Sequence, residues 1–314
     1  MKLTRHITRA SALLAIAILT QTAMAKDADD KTLPFDRYSW VTTHNAFTSN
    51  GLFPNQSQTI AEQLDAGVRA FMLDLHPDDG RVRLCHNRCR GSSSEPFADF
   101  VNATLLPFLE RSPDSIVTLH LEDFTDRDEL LAELELAPAL VGKTFDPYSW
   151  STEAWPAYDE IVRRGQRILI FSLNRDQSGV FMTPRGAVHI MPSEDFTVEN
   201  YWSLGTTTLW HDYRCHSRWG ETRPLWRNDI ESKPGWRPLF TMNQFHGLPS
   251  ESHAPNDNSL AALQDRYANY CQPAAGRKPN YVAVDFHELG GVHAFVDWLD
   301  TQPEGPRHVG AAAP

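Results

Sequence analysis

The stretch Tyr38-Ser39-Trp40-Val41-Thr42-Thr43-His44-Asn45-Ala46-Phe47 runs from an apolar, β-branched segment into a polar His-Asn pair, and the loop signals Ser49-Asn50-Gly51 and Pro54 follow. That is how a buried strand hands reactive side chains to the mouth of a fold. The same event recurs: Val68 to Leu73 ends on Asp74, Val82 to Cys85 on His86, and Ile116 to Leu121 on Glu122-Asp123. Each run delivers an ionisable or metal-binding residue. If the strands lie parallel with helices between them, their C-terminal ends converge on one face, where a βα barrel places its chemistry.

The intervals between the runs carry helical patterns. Thr59 to Ala66 reads as a short helix closed by Gly67, a residue suited to the left-handed position after a helix. Phe97 to Glu110, Asp128 to Leu136 and Trp155 to Arg164 repeat the signal, the last with Gly165 behind it. Arg167 to Leu173 is a further strand, ending at Asn174. Leu239 to Phe245 and Tyr281 to Phe286 are two more, with helices around Asn258 to Tyr270 and Val292 to Leu299. This alternation predicts an α/β fold with a parallel sheet, a (β/α)8 TIM-type barrel with room for distortion. Seven strands are plain; the eighth is expected between Gly186 and His211, at Thr206 to Trp210.

Residues 175–237 fit the scheme least. Trp202, Trp210, Trp219, Trp226 and Trp236 are interleaved there with Arg214, Arg218, Arg223, Arg227 and Arg237. One reading is a loop region over the mouth that touches lipid or phosphate. The preferred reading is that most of these aromatics pack long loops against the barrel, since such loops need a small core of their own.

The chain of 314 residues shows no linker that would divide it, and a single domain over residues 26–314 is expected. Residues 1–25 differ in kind. Lys2, Arg5 and Arg9 precede an apolar run from Ala12 to Thr20, and Ala23-Met24-Ala25 gives a small-x-small site. Together these predict a cleaved signal peptide and an exported protein. Its removal takes away three basic residues and no acidic one, so the mature chain is more acidic than the −11 of the full sequence. Such a chain repels nucleic acid and has no polybasic membrane anchor. No mature stretch is long enough to span a bilayer, the tail from Pro303 to Pro314 is expected to fray, and nothing fixes the oligomeric state.

Four cysteines in an exported chain suggest two disulfides. The short Cys85 to Cys89 spacing favours a local bridge, which leaves Cys215 with Cys271. Zinc is the rival, because His86, His211 and His216 lie near cysteines, but there is no paired C-x-x-C.

Two histidines at neighbouring strand ends, with carboxylates between them, form a general acid/base kit. Phosphodiester cleavage needs that pair, and an oxygen-rich set such as Asn45, Asp74 and Glu122 suits a hard divalent cation, calcium better than zinc. For any one of these residues the plain alternative is a strand-end polar group satisfied by loop backbone.

Thr43-His44-Asn45, Gln63-Leu64, Gly67 to Asp74, Leu84-Cys85-His86 and Ile116 to Asp123 resemble the X region of phosphatidylinositol-specific phospholipases C, above all the exported proteins that consist of the X domain alone. Pro279 to Phe286 is similar to that subgroup's last strand. The resemblance implies His44 and His86 as catalytic histidines and Asn45, Asp74 and Glu122 as calcium ligands, with Met72 standing where calcium-dependent members have an acidic residue. Asp285, beside His44 in a closed barrel, is the candidate carboxylate partner, with a simple strand-end cap as the alternative. The implied substrate is a phospholipid or inositol phosphodiester met at a membrane surface. A glycerophosphodiesterase would want His-Arg-Gly where this chain has His44-Asn45-Ala46, and a degenerate, non-enzymatic binding module is opposed by the two intact histidines.

Overall fold

The computed structural model describes residues 31–49, 53–86, 88–89, 94–205 and 210–303. The expected signal peptide, most of the expected strand at Thr206 to Trp210 and nearly all of the tail lie outside them. The sheet holds ten strands: β1 (Trp40–Thr43), β2 (Ala70–Asp78), β3 (Arg81–Leu84), β4 (Val117–Asp123), β5 (Ile168–Ser172), β6 (Gly179–Thr183), β7 (Gly186–Pro192), β8 (Thr197–Glu199), β9 (Leu239–Gln244) and β10 (Tyr281–Val284). Their order is β6-β7-β5-β4-β2-β1-β10-β9-β8, with β3 attached to β2. All neighbours pair in parallel except the β2-β3 and β6-β7 hairpins. The expected α/β barrel is therefore present in distorted form, and among the described residues no ladder joins β7 to β8.

Two strand assignments differ from the sequence reading. Val82 to His86 is not a barrel strand: β2 runs on past Asp74 to Asp78, turns through Asp79 and Gly80, both at positive φ, and returns antiparallel as β3. An Asp-Gly pair is a strong two-residue hairpin signal. The barrel's remaining parallel strands come instead from β7 and the three-residue β8, which lie between Pro184 and Asn200, before the Thr206 to Trp210 position.

Local chemistry explains the helix ends. Thr59 and Glu62 form a reciprocal capping box before Ile60–Asp65, and Asp126 and Glu129 do the same before Arg127–Glu135, each cap contributing about 1 kcal/mol. Tyr158–Arg164 ends on Gly165 at φ 74°. A large core lies between the strands' outward faces and the helices; it includes Phe71, Leu73, Leu119, Val282 and Phe295. A second cluster gathers Ala70, Leu169, Leu239 and Tyr281, at the starts of four strands, with Phe35, Phe145, Trp155 and Trp236. It closes the end of the barrel opposite the polar strand ends. Trp236 thus packs as expected of these loops, whereas Trp202, Trp210 and Trp226 stay exposed. Among the described residues no helix is long and apolar enough to cross a membrane.

Cys85 bonds Cys89 and Cys215 bonds Cys271, the pairing read from the sequence. The second spans a sequence separation of 56, the first only 4. Because loop-closure entropy grows with loop length, replacing Cys215 and Cys271 by Ala should cost about 2–4 kcal/mol and replacing the other pair less. Urea unfolding of the two double variants checks the order.

Candidate active site

Strand register builds the site. In the parallel ladder of β1 and β10, Thr43 stands opposite Val284, so the next residues, His44 and Asp285, emerge side by side. Both chains then turn sharply, through Asn45 at φ 44° and Phe286 at φ 48°, a region that side chains other than Gly enter only when the surroundings enforce it. Gln56 stitches the two exits together, its Nε2 donating to the carbonyls of His44 (2.9 Å) and Val284 (3.1 Å). His44 Nδ1–H donates to Asp285 Oδ1 at 2.8 Å, and Asn55 Nδ2 donates to the same oxygen at 2.9 Å. Phe245 stacks on the imidazole, ring centroids 3.7 Å apart and planes 6° from parallel. With Nδ1 engaged and the ring clamped, Nε2 is the nitrogen left for chemistry.

The β2-β4 ladder supplies a second pair. Asp74 stands opposite Glu122, and period-two alternation puts Met72 on the same face as Asp74. Burial, then the charge of Glu122, push the Asp74 carboxyl up to about 7, against a smaller opposing effect of His44. Among the described residues no cationic side chain pairs with either carboxylate. Asn45 spends its amide nitrogen on Asn55 Oδ1 (3.3 Å), leaving its carbonyl oxygen as the ligand-capable atom. Asp123 is not among the residues lining the cavity: its Oδ1 accepts from the Thr125 backbone N–H and hydroxyl as a strand-end cap.

His86 arrives from the β3 hairpin. Cys85 N–H donates to Asp74 O (3.2 Å), and the Cys85–Cys89 bridge follows. The residue is exposed, yet its ring is partly desolvated; that, together with the charge on His44, lowers its pKa against an opposing pull from Glu122. His44, Asn45, Asp74, His86, Glu122 and Met72 all line one cavity of about 590 Å³. Asp285 stands behind His44, so the structure brings all six expected residues together.

Several lining residues escaped the sequence reading. His120 shares the inward face of Thr118 and Glu122, and burial pushes its imidazole down to about 3, so it is neutral; it lies against Phe171 and edge-on to Tyr281. The opposite wall carries Glu199, which accepts from Arg218 (3.1 Å) and from Asn243 Nδ2 (3.0 Å). Phe53, Trp202 and Leu248 form an exposed apolar rim. Alternation would have found His120, and nothing local marks Glu199 or Asn55; Arg218 and Trp202 belong to the Trp/Arg stretch that one reading of the sequence placed over the mouth. The cysteines are all in disulfides, which removes the cysteine-zinc alternative, yet His211 does enter a group of metal-ligating type, with His246 and Asp257, whose ligand atoms lie within 4.8 Å of one another.

A largely parallel α/β barrel with this mouth has the fold of a phospholipase C-like phosphodiesterase. Residues 34–182 match the PI-PLC X domain, and this part of the chain belongs to the PI-PLC X domain family. It is 30% identical over 290 residues to a PI-PLC X domain-containing protein of Arabidopsis thaliana, covering 85% of this chain and 63% of that protein. It is 22% identical to an uncharacterised secreted protein of Arthroderma benhamiae, over 82% of this chain and 58% of the other. The chain thus spans about 60% of the length of these relatives. The phosphatidylinositol-specific phospholipase C of Listeria monocytogenes shares the fold at TM-score 0.56 and 14% identity, over 88% of this chain and 97% of that one.

Because Asp74 is held protonated up to about 7, stability in metal-free buffer should fall as pH rises from the ordinary carboxylate range through about 7, where the native state must give up a proton the unfolded chain has already lost. Glu122→Gln should move that titration down, since it removes the like charge, but not to the ordinary value, since burial remains. Carboxyl NMR titration of the two proteins measures the difference.

Proposed function

We propose that this chain is a phosphoric diester hydrolase that cleaves a phosphatidylinositol-type phosphodiester with His44 and His86 as proton-transfer groups, aided by calcium held at Asn45, Asp74 and Glu122. The observation that carries the reading is the convergence, in one cavity, of a carboxylate-backed imidazole, a second imidazole and two carboxylates that no cationic side chain pairs with among the described residues. Calcium fits the last pair: a buried Asp74 kept from ionising, juxtaposed with the exposed carboxylate of Glu122, is relieved by a hard cation that takes oxygen ligands. When bound it would offset the phosphate's charge, its shell completed by water and substrate oxygens, with Met72 giving no ligand.

The protein groups then divide the proton work. The inositol 2-hydroxyl gives its proton to His44 Nε2 while its oxygen bonds to the adjacent phosphorus, and Asp285 stabilises the imidazolium that forms. As the bond from phosphorus to the diacylglycerol oxygen breaks, protonated His86 gives that oxygen a proton, a role its lowered pKa favours because it makes the imidazolium a stronger acid. The products are a cyclic inositol phosphate and diacylglycerol. Glu199, Arg218 and Asn243 offer donors and acceptors for ring hydroxyls, and Phe53, Trp202 and Leu248 suit transient contact with the membrane surface that presents the lipid. Export agrees with two disulfides and with the secreted relative.

Product analysis on phosphatidylinositol vesicles tests this. His44→Ala and His86→Ala should each lower turnover by roughly three or more powers of ten with the fold intact, and the double variant little further, because groups sharing one step are non-additive. Turnover of glycerophosphodiesters with none of phosphatidylinositol would replace the reading, and fully active single variants would end it.

The pH profile gives a separate check. His86 must be protonated, so activity should fall as pH rises past its lowered pKa, below the ordinary 6.5. Asp74 must be ionised to hold calcium, so apparent calcium affinity should fall as pH falls through about 7. Raising calcium should therefore shift the acid limb of the rate profile to lower pH and leave the alkaline limb in place; full activity in excess chelator would rule the metal out.

A further inference from the structure

Outside the cavity, His211, His246 and Asp257 meet where three separate segments cross. His246 follows β9, Asp257 ends the short helix Ala254–Asp257, and His211 comes from the segment that precedes Cys215. The Asp257 carboxylate is shared between the two rings, Oδ1 lying 2.9 Å from His211 Nε2 and Oδ2 3.1 Å from His246 Nε2. The rings meet edge to face at 4.9 Å. We propose that this trio is a binding site for a zinc-class divalent metal, distinct from the calcium set at the cavity.

The donor chemistry selects the metal. Two imidazole nitrogens with one carboxylate oxygen suit zinc, whereas calcium prefers oxygen alone. Ligand atoms around tetrahedral zinc stand about 3.4 Å apart, given bonds of about 2.0–2.1 Å. Each imidazole nitrogen already stands 2.9 or 3.1 Å from one of the two carboxylate oxygens, and one donor atom from each of the three residues lies within 4.8 Å of the others, so gathering them around one ion takes side-chain adjustments on the order of 1 Å. Each imidazole would keep one proton, moved from Nε2 to Nδ1, so that both Nε2 lone pairs face the ion. Among the described residues three donors converge, and solvent would fill the fourth position.

The frame around the trio is already built. Tyr213 stacks on His211, and Cys215 anchors the same segment to Cys271. Buried Arg266 donates to the carbonyls of Tyr213 and Asn243 and to the Gln244 side chain, while Gln244 Nε2 donates to the Asp257 carbonyl at 2.9 Å. The ion would therefore meet ligands with little freedom left to lose. Its neighbours reach the candidate active site by two covalent steps. Phe245, next to His246, stacks on His44, and Asn258, next to Asp257, donates to the carbonyls of Asp285 and Phe286 (2.8 and 3.3 Å). A metal here would brace both the face and the backing of the His44 dyad.

Zinc uptake by the full-length protein, stripped with chelator and read without substrate by isothermal titration and by elemental analysis, tests the proposal. The expected result is one tightly held zinc per chain that excess calcium does not displace, with a rise in unfolding temperature. Asp257→Asn, which keeps the side-chain shape, and His211→Ala should each weaken zinc more than about 100-fold, beyond the 10–100-fold that loss of an outer-shell partner costs. Asp74→Asn and His86→Ala should bind zinc normally, so failure of the hydrolase reading leaves this result standing. No tight uptake by the parent protein, or uptake unchanged in both Asp257→Asn and His211→Ala, would overturn the site and leave the trio a hydrogen-bonded clasp.

Discussion

The parallel ladder between β1 and β10 is the constraint on which the rest depends. It joins the first strand to the last, and its register sets His44 beside Asp285. A slip of one residue would turn every side chain of β1 to the other face and send Val41 and Thr43 where their neighbours now sit. Slippage is resisted from both sides: apolar residues of β1 and β10 occupy the core, and a buried carboxylate is tolerated only while its hydrogen bonds are complete. Asp285 gets two, from His44 and Asn55. The polar pair proposed to serve the chemistry therefore also reads out correct closure of the sheet. The β2-β4 ladder repeats the device with Asp74 and Glu122.

That economy explains why so much of the site was legible in the sequence. A strand that ends on a polar residue announces both its length and its chemistry, so His44, Asp74 and Glu122 could be picked from linear patterns, and Asp285 once the barrel was taken as closed. Residues brought in by loops or by very short strands could not. Asn55 lies 230 positions from Asp285, and no local pattern predicts that contact. Glu199 ends a strand of three residues, too short for periodicity to register. His86 was found for the wrong structural reason: it ends the returning arm of a hairpin, and the Asp79-Gly80 turn that makes the hairpin was present in the sequence but unread. In residues 175–237 the aromatics divide between core and rim according to tertiary contacts, which composition cannot resolve.

The distribution of charge in the cavity bears on how the proposed phosphodiester would enter it. Among the described residues lining it, Arg218 is the one Lys or Arg, and it is already paired with Glu199. Asp74, Glu122 and Glu199 face the same space and Asp285 lies just behind. A phosphate placed about 4 Å from one ionised carboxylate meets a repulsion on the order of 4 kcal/mol at an effective dielectric of 20, and the chain's net charge of −11 adds to it at longer range. A proton on Asp74 removes one such term but leaves Glu122. A protonated histidine offsets one more, yet the proposed chemistry requires one of the two rings to begin neutral. A divalent cation held by Asp74 and Glu122, as proposed, would reverse the sign of the local field in one step. The same acidity that would exclude a free phosphodiester would then favour one that arrives with, or onto, a bound cation, and the absence of a carboxylate at Met72 would leave positions on that cation for water and for the substrate's own oxygens.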